Sequence, residues 1–199
     1  MKKNLSYSIR YGNDDMIAVG VSRLEKTRWR IENLESNSTD AGPSESLAKA
    51  MIKNKDKFAM VAPGEEVRTA LVKLPRLKKK QMDLAAKGWV AREESVPADQ
   101  WNISWAQREQ LEDAANKDKS DVFLLYASKE FVAGQMAKPK TWEGVPSRLV
   151  PDYLVLDSMY RRYGPQSKDL VGWNVVFVSK DDHFLCVSTP SGLIMNRAL

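Results

Sequence analysis

The sequence is poor in the side chains that many hydrolases use: its 199 residues include one cysteine, Cys186, and one histidine, His183. A single cysteine excludes an internal disulfide framework, and a single histidine excludes a metal site built from several histidines of one chain. The two residues lie three positions apart in a strand-like run, where they would point to opposite faces. They therefore do not predict a thiol protease dyad, and a Ser-His-Asp triad would depend on the same His183.

Long hydrophobic runs are also missing. The longest, Met16 to Val21 and Val122 to Ala127, have about six residues, whereas a membrane-spanning helix needs about 20. The first residues, Met1 to Ser6, are charged but lack the apolar stretch of a signal peptide. With a single thiol, the reducing cytoplasm is the natural compartment.

What the chain does have is 43% hydrophobic residues and a net charge of +5, from 31 basic and 26 acidic side chains. This composition is enough for a buried core, and the length suits one domain, or one domain and a fragment. Strand-like and helix-like patterns alternate along the chain, which predicts the α/β class.

The first sixty residues predict a β-β-β-α-β unit, in which a helix covers one face of a mixed sheet. A polar loop, 36–46, carries helix-start residues at its end. The predicted elements are strands Ser6–Arg10, Met16–Leu24 and Thr27–Leu34, a helix from about Leu47, and strand Phe58–Val61.

The rest of the chain predicts further alternation and ends in a second three-strand meander. Its helix 78–95 has an apolar stripe that includes Trp89, and Trp29, Trp101 and Trp105 are expected to cover sheet faces. The polar segment 112–121 is interpreted as a hairpin or linker. The predicted strands are 67–74, 101–106, 121–127, 173–178, 183–188 and 193–199; the other helices are 128–137 and 151–163.

A series of short motifs lies in the middle of the chain. The series is Val61-Ala62-Pro63-Gly64-Glu65-Glu66-Val67, Leu74-Pro75-Arg76-Leu77, the helix Met82 to Glu94 with Gly88-Trp89-Val90-Ala91-Arg92-Glu93, the exit Val96-Pro97-Ala98-Asp99, and the segment Asp121 to Val132. This series resembles the PilM/GspL family. Members of this family are actin-like cytoplasmic components of type IV pilus assembly and type II secretion platforms. The order and spacing of the motifs carry the resemblance, which covers most of residues 58–199 and weakly 5–35.

The resemblance implies an α/β fold of the actin-like (ribonuclease H-like) class, with mixed sheets flanked by helices, truncated relative to full actin-like ATPases. Residues 1–170 would form the first actin-like half, with an inserted subdomain at about 65–107. Residues 171–199 would form the opening β-meander of the second half.

The function that the resemblance implies is a non-catalytic scaffold at the cytoplasmic face of the bacterial inner membrane. Such a scaffold would dock the pilus assembly or secretion ATPase, or the cytoplasmic tail of an inner-membrane platform protein. We expect no enzymatic activity, no cofactor and no metal, and we do not expect nucleic acid as a partner. Whether the chain forms a homodimer is left open.

The turns that hold phosphate in actin-like ATPases depart from the family pattern here. Such turns hold phosphate through backbone amides, but Gly12-Asn13-Asp14-Asp15 is not followed by Thr-Lys, and Ser179-Lys180-Asp181-Asp182 has no glycine. No Walker-type GxxxxGK[ST] motif is present either. An actin-like nucleotide-binding ATPase is therefore the alternative hypothesis rather than the first.

A basic stretch without any acid lies between Glu66 and Asp83, and it is the first candidate for partner binding. It favours an acidic protein partner, lipid headgroups or, as a second alternative function, nucleic acid; a solvated helix start is the competing interpretation. Trp142, in a turn-rich segment, is expected to be exposed and to serve as a partner anchor. The predicted partner-binding residues are Arg68, Arg76, Lys78, Lys79, Lys80 and Trp142.

The remaining candidates for chemistry are interpreted as structural. The acid pairs Glu93-Glu94 and Asp181-Asp182 are expected to be solvated side chains rather than catalytic or metal-binding carboxylates. Cys186 is expected to be an inert buried thiol, and His183 a half-exposed strand residue.

Overall fold

The computed structural model of the chain describes residues 5–12, 14–24, 28–107, 119–163, 173–178, 183–189 and 192–198. Over these residues, no helix is both long enough and apolar enough to span a membrane. The chain divides into two compact units, Met1–Pro63 with Ala133–Asp152, and Gly64–Val132 with Tyr153–Leu199. The predicted actin-like halves, 1–170 and 171–199, stay a prediction.

Strands and helices alternate as the sequence predicts. The strands are β1 (Leu5–Tyr11), β2 (Asp15–Arg23), β3 (Trp29–Ser38), β4 (Phe58–Ala62), β5 (Arg68–Pro75), β6 (Trp101–Gln107), β7 (Lys119–Ser128), β8 (Arg148–Pro151), β9 (Trp173–Val178), β10 (His183–Thr189) and β11 (Gly192–Ala198). The α-helices are α1 (Glu45–Lys53), α2 (Lys79–Glu94), α3 (Lys129–Ala137) and α4 (Asp152–Tyr163).

The first unit is built on a five-stranded mixed sheet in the order β3-β2-β1-β4-β8. Strand β1 pairs antiparallel with β2 and parallel with β4, and β4 pairs parallel with β8. The predicted β-β-β-α-β unit is confirmed. Strand β8 was not predicted, because its four residues are too few to show an alternating pattern.

The core of the first unit lies between one face of this sheet and α1. Alternate side chains of a strand point to opposite faces, so every second residue of β1, β2 and β4 is buried there. Helix α1 begins where the Ser44 hydroxyl accepts a hydrogen bond from the Leu47 amide, with Glu45 in the first turn. The buried core residues are Tyr7, Ile9, Tyr11, Met16, Ala18, Leu47, Met51, Phe58 and Met60.

The second unit contains an antiparallel sheet in the order β5-β7-β6, with β7 at its centre. The even-numbered residues of β7, such as Leu124, pack against the apolar stripe of α2. Phe123 and Leu125, on the other face, pack in a cluster with Tyr153 of α4 and Cys186 of β10. Strand β7 is thus packed on both faces, as its continuous apolar run predicts.

The predicted terminal meander is confirmed as a three-stranded sheet in the order β11-β10-β9. Cys186 is buried, as expected. Close by, the buried Asp157 carboxylate accepts hydrogen bonds from the Ser188 hydroxyl and, at 2.6 Å, from Arg161 Nε. A buried carboxylate needs such partners, and the sequence pattern did not reveal this one.

Helix α2 ends on Ser95, whose φ of 54° lies in the left-handed region. This conformation crowds the Cβ of an L-residue against the backbone, which is why glycine usually occupies the position after a helix. Ser95 is exposed.

We predict that Ser95→Gly raises the free energy of unfolding by about 0.5–1 kcal/mol, because glycine removes the left-handed strain at a modest cost in chain entropy. Urea denaturation at neutral pH measures the change. Ser95→Ala is the control, because alanine keeps the Cβ and should give no gain. A Ser95→Gly variant no more stable than Ser95→Ala would contradict the strain argument.

Candidate partner-binding site

The basic stretch follows β5 and runs into the start of α2. Lys78 is the N-cap residue of α2, and Lys79 and Lys80 are its first two residues. All three side chains are exposed, as is Arg76 in the connection from β5. These residues therefore form a local cluster of positive charge, which we call the basic cluster (Arg76, Lys78, Lys79 and Lys80).

The position of the basic cluster is unfavourable for the helix that carries it. A helix N-terminus has a partial positive charge, which is stabilised by acids and destabilised by cations. The first turn of α2 has no acidic residue. The helix start is held instead by the Gln81 side chain, whose oxygen accepts a hydrogen bond from the Lys78 amide at 3.3 Å.

Arg68 does not belong to the basic cluster, although the sequence prediction grouped them. It is the first residue of β5, and the lysines follow the end of that strand; at about 3.3 Å per residue, β5 alone separates them by about 23 Å. Helix α2 has 16 residues and, at 1.5 Å per residue, returns over a similar length of about 24 Å. Its last residue, Glu94, therefore lies beside Arg68.

Arg68, Glu94 and Tyr126 form a hydrogen-bonded triad. The Arg68 guanidinium donates to Glu94 Oε2, and the Tyr126 hydroxyl donates to Glu94 Oε1 at 2.8 Å. The guanidinium also lies 5.7 Å from the centre of the Trp101 ring, within the range of a cation–π contact. The triad joins the C-terminal end of α2 to strands β5 and β7.

The prediction that Glu94 is a solvated side chain is wrong. Only 10% of its side chain is exposed, and both of its carboxylate oxygens are engaged by the triad. Its neighbour Glu93 is exposed, as expected. No local residue pattern distinguishes Glu94 from Glu93, because the partners of Glu94 lie 26 and 32 positions away along the chain.

The electrostatics of the triad raise the pKa values of two of its members, Tyr126 and Arg68. Burial, followed by the hydrogen bond to Glu94, raises the pKa of the Tyr126 hydroxyl well above its ordinary value. The hydrogen bond to Glu94 is also the main reason why the pKa of Arg68 is raised. An open cleft of about 360 Å³ lies beside the triad, lined also by Glu65, Val67, Thr69 and Glu93.

Trp142 is not the exposed anchor that the sequence predicted. Its indole N–H donates to the Tyr11 hydroxyl at 3.0 Å, and its ring lies 5.7 Å from that of Phe58. A Cβ on Gly144 would lie 2.3 Å from the Trp142 ring, so glycine is required there. Trp142 is half-buried against the core of the first unit, because the turn-rich segment 138–146 folds back onto the sheet.

In the first phosphate-type turn, the backbone amide of Gly12 already has a hydrogen-bond acceptor. The Gly12 amide donates to the Asp15 carbonyl at 2.7 Å, and the Thr39 hydroxyl donates to the same carbonyl at 3.0 Å. A Cβ on Gly12 would lie 2.2 Å from Asp15 Oδ1, so the carboxylate covers this glycine. The second turn, 179–182, lies outside the described residues, and so does the side chain of His183. Within the part of the chain that is described, no cluster of three His, Cys, Asp or Glu could hold a metal ion.

We predict that the stability difference between the wild type and Tyr126→Phe shrinks as the pH rises above 10. At pH 7 the variant loses a hydrogen bond to a carboxylate, which costs about 1.5–3 kcal/mol. The folded pKa of Tyr126 is higher than the unfolded value of 10.0. The contribution of the Tyr126 hydroxyl to the free energy of unfolding is therefore complete below pH 10. It is lost as the pH rises from 10 through the pKa of Tyr126 in the folded protein.

Urea denaturation of both proteins at pH 7, 9, 10, 11 and 11.5 measures the difference. Other tyrosines titrate in both proteins and cancel in the comparison. Absorbance titration at 295 nm is the control, because the variant should lack one late-titrating tyrosine. A difference that stays constant from pH 7 to 11.5 would contradict the assignment.

No protein-family model matches the chain, and comparison with curated proteins gives no match. Among solved structures, the chain is similar to a chain of the PilM-PilN type IV pilus biogenesis complex, with 17% identity and a TM-score of 0.68 over 98% of this chain and 61% of that one. It is also similar to the cytoplasmic domain of EpsL, an inner membrane component of the type II secretion system of Vibrio cholerae, with 9% identity and a TM-score of 0.56 over 98% and 71%. A weaker likeness, with a TM-score of 0.47 and 10% identity over 99% and 70%, is to a protein of actin-like ATPase fold from Bacteroides thetaiotaomicron.

At these identities the likeness concerns the fold. The chain spans 61% of the length of the PilM-PilN complex chain that it matches. The resemblance to the PilM/GspL family is confirmed at the level of the three-dimensional structure, over 98% of the chain. The chain therefore has the same α/β fold as these two domains, as the resemblance implied.

Proposed function

We propose that the chain is a non-catalytic scaffold of a type IV pilus or type II secretion machine. It docks either the assembly or secretion ATPase or the cytoplasmic tail of an inner-membrane platform protein, on the cytoplasmic side of the inner membrane. The observation that carries the proposal is the fold likeness, at a TM-score of 0.68 over 98% of the chain, to a chain of the PilM-PilN type IV pilus biogenesis complex. The EpsL likeness supports a role in the same class of machine.

The Gly12–Asp15 turn supports the non-catalytic part of the proposal. Phosphate would need backbone amides that point at an open concave turn, but the Gly12 amide already donates to the Asp15 carbonyl. The Asp15 carboxylate also covers Gly12, and its negative charge would repel a phosphate brought to this turn.

The basic cluster is our proposed docking surface. Three lysines at the start of α2 oppose the helix macrodipole, so the stability of the fold does not account for them. An acidic partner surface would be attracted by both the lysines and the positive end of the helix. Arg68 and Trp142 are engaged within their own units and are not part of this surface.

We predict that the triple variant Lys78→Glu, Lys79→Glu, Lys80→Glu binds its partner at least tenfold more weakly, yet is as stable as the wild type or slightly more stable. The acids would complement the start of α2, worth about 0.3–1 kcal/mol per charge, while they repel an acidic partner. Titration calorimetry with the purified ATPase and with platform-protein tails measures binding, and urea denaturation measures stability.

Lys129→Glu is the matched control. It places a single Lys→Glu charge reversal at the first residue of another helix, α3, outside the basic cluster, and should leave the affinity unchanged. The wild type should bind at least one of these partners with micromolar affinity and show no heat with Mg-ATP. Micromolar binding of Mg-ATP would favour the ATPase hypothesis. Salt-dependent binding of random DNA would favour the nucleic-acid-binding module. Failure to bind any of these partners would contradict the scaffold proposal.

A further inference from the structure

Exposed apolar side chains are concentrated at one edge of the first unit. Ten large hydrophobic residues are exposed in the described part of the chain, and five of them lie on β2, on β3 or directly after β2. Ile31 and Leu34 are each 64% exposed, and Trp29, which the sequence predicted to cover a sheet face, is 42% exposed. These five residues are Ile17, Leu24, Trp29, Ile31 and Leu34.

The strand register explains how this apolar face arises. Met16 and Ala18 point into the core, so Ile17, Val19 and Val21 point to the opposite face. On β3, Leu34 lies opposite Val19, and Ile31 lies opposite Val21. The register shift after Gly20 places one extra residue in β3, which brings Ile31 and Leu34 to the same face although they are three positions apart.

Strand β3 is also the last strand of its sheet. Among the described residues, it pairs only with β2, which leaves one edge of its backbone open. Folded proteins usually protect such an edge with a short strand, with proline, with charged residues, especially lysine, or with a bulge. β3 has ten residues and contains neither proline nor lysine, and its charged residues and its bulge are the features that a pairing strand would have to match.

The charges of β3 are arranged to match a second copy of the same strand. Its first part carries Arg30, and its later part carries Glu32 and Glu35. A parallel, in-register pair of copies would put like charges together, whereas an antiparallel pair puts Arg30 opposite Glu35. Opposite charges across strands are stabilising, and like charges are destabilising.

The same antiparallel register matches the apolar residues. When Arg30 lies opposite Glu35 of a second copy, Ile31 lies opposite Leu34, and the two-fold axis passes between Glu32 and Asn33. Residues opposite each other point to the same face of a sheet, and Ile31 and Leu34 already share a face. The Glu35 carboxylate is held in place because Oε2 accepts from the Ser44 amide at 2.7 Å and Oε1 accepts from the Ser44 hydroxyl.

We propose that β3 pairs antiparallel with β3 of a second copy of this chain, in this register, and so joins two five-stranded sheets into one sheet of ten strands. The dimer goes beyond the scaffold role and would stand without it. A strand from a different protein is the other occupant that the open edge could take, and the experiment below distinguishes the two.

Sedimentation velocity of the wild-type chain tests the dimer. We expect a species of twice the 22.5 kDa chain mass at tens of micromolar. Ile31→Lys alone and Leu34→Glu alone should each weaken the dimer at least tenfold, because each places two charges opposite apolar residues. Both positions are largely exposed, so circular dichroism should show an unchanged fold and melting temperature.

An equimolar mixture of Ile31→Lys and Leu34→Glu should recover the dimer. In that heterodimer one cross-strand pair is Lys opposite Glu and the other is the native Ile31 opposite Leu34. A mixture of Ile31→Lys with Leu34→Lys should stay monomeric. Leu84→Lys is the control for general loss of surface hydrophobicity, because Leu84 is 69% exposed on α2, and it should leave the mass unchanged.

Three results would overturn the proposal. A wild type that is monomeric at 200 µM would leave the edge to another protein. A dimer that persists in both single variants would place the interface elsewhere. Single variants that dissociate but do not recover on mixing would exclude the register in which Ile31 meets Leu34.

Discussion

The two-residue alternation along β1 is the constraint on which the first unit depends. Tyr7, Ile9 and Tyr11 are buried on one face, and β1 must therefore hold both neighbours, β2 and β4, in the register that buries their alternate residues too. A slip of one residue would turn every side chain to the other face. The same alternation sends the odd-numbered residues of β2 outward, where they form the apolar face that continues onto β3.

In the second unit, the similar lengths of helix α2 and strand β5 determine which residues meet at each end. Helix α2 and strand β5 have similar lengths, and the C-terminus of α2 meets Arg68 and Tyr126, while its N-terminus presents three lysines to solvent. The charges at the two ends have different roles. Glu94 is held by two hydrogen-bonding partners and stabilises the unit. The lysines oppose the helix dipole, and in our proposal they bind a partner instead of stabilising the fold.

Patterns that are local in sequence predicted most of the fold. Three patterns each identified an element correctly: the alternation in β1 and β2, the apolar stripe of α2 and the continuous apolar run of β7. They did so because the spacing of apolar residues along the chain shows which face of an element is buried. What the sequence missed depends on residues far apart. The hydrogen-bonding partners of Glu94 lie at least 26 positions away along the chain. Ser188, which donates to Asp157, lies 31 positions away. Trp142 is covered because it meets Tyr11, 131 positions away.

The central claim is that the chain acts as a component of a pilus or secretion machine, and deletion of its gene in the bacterium tests this most directly. Surface pili and secreted type II substrates should be counted in the deletion strain and in a strain complemented with the wild-type gene. The account predicts loss of one of the two, with restoration by the wild type and not by the triple lysine variant. Normal pili and normal secretion in the deletion strain would contradict it.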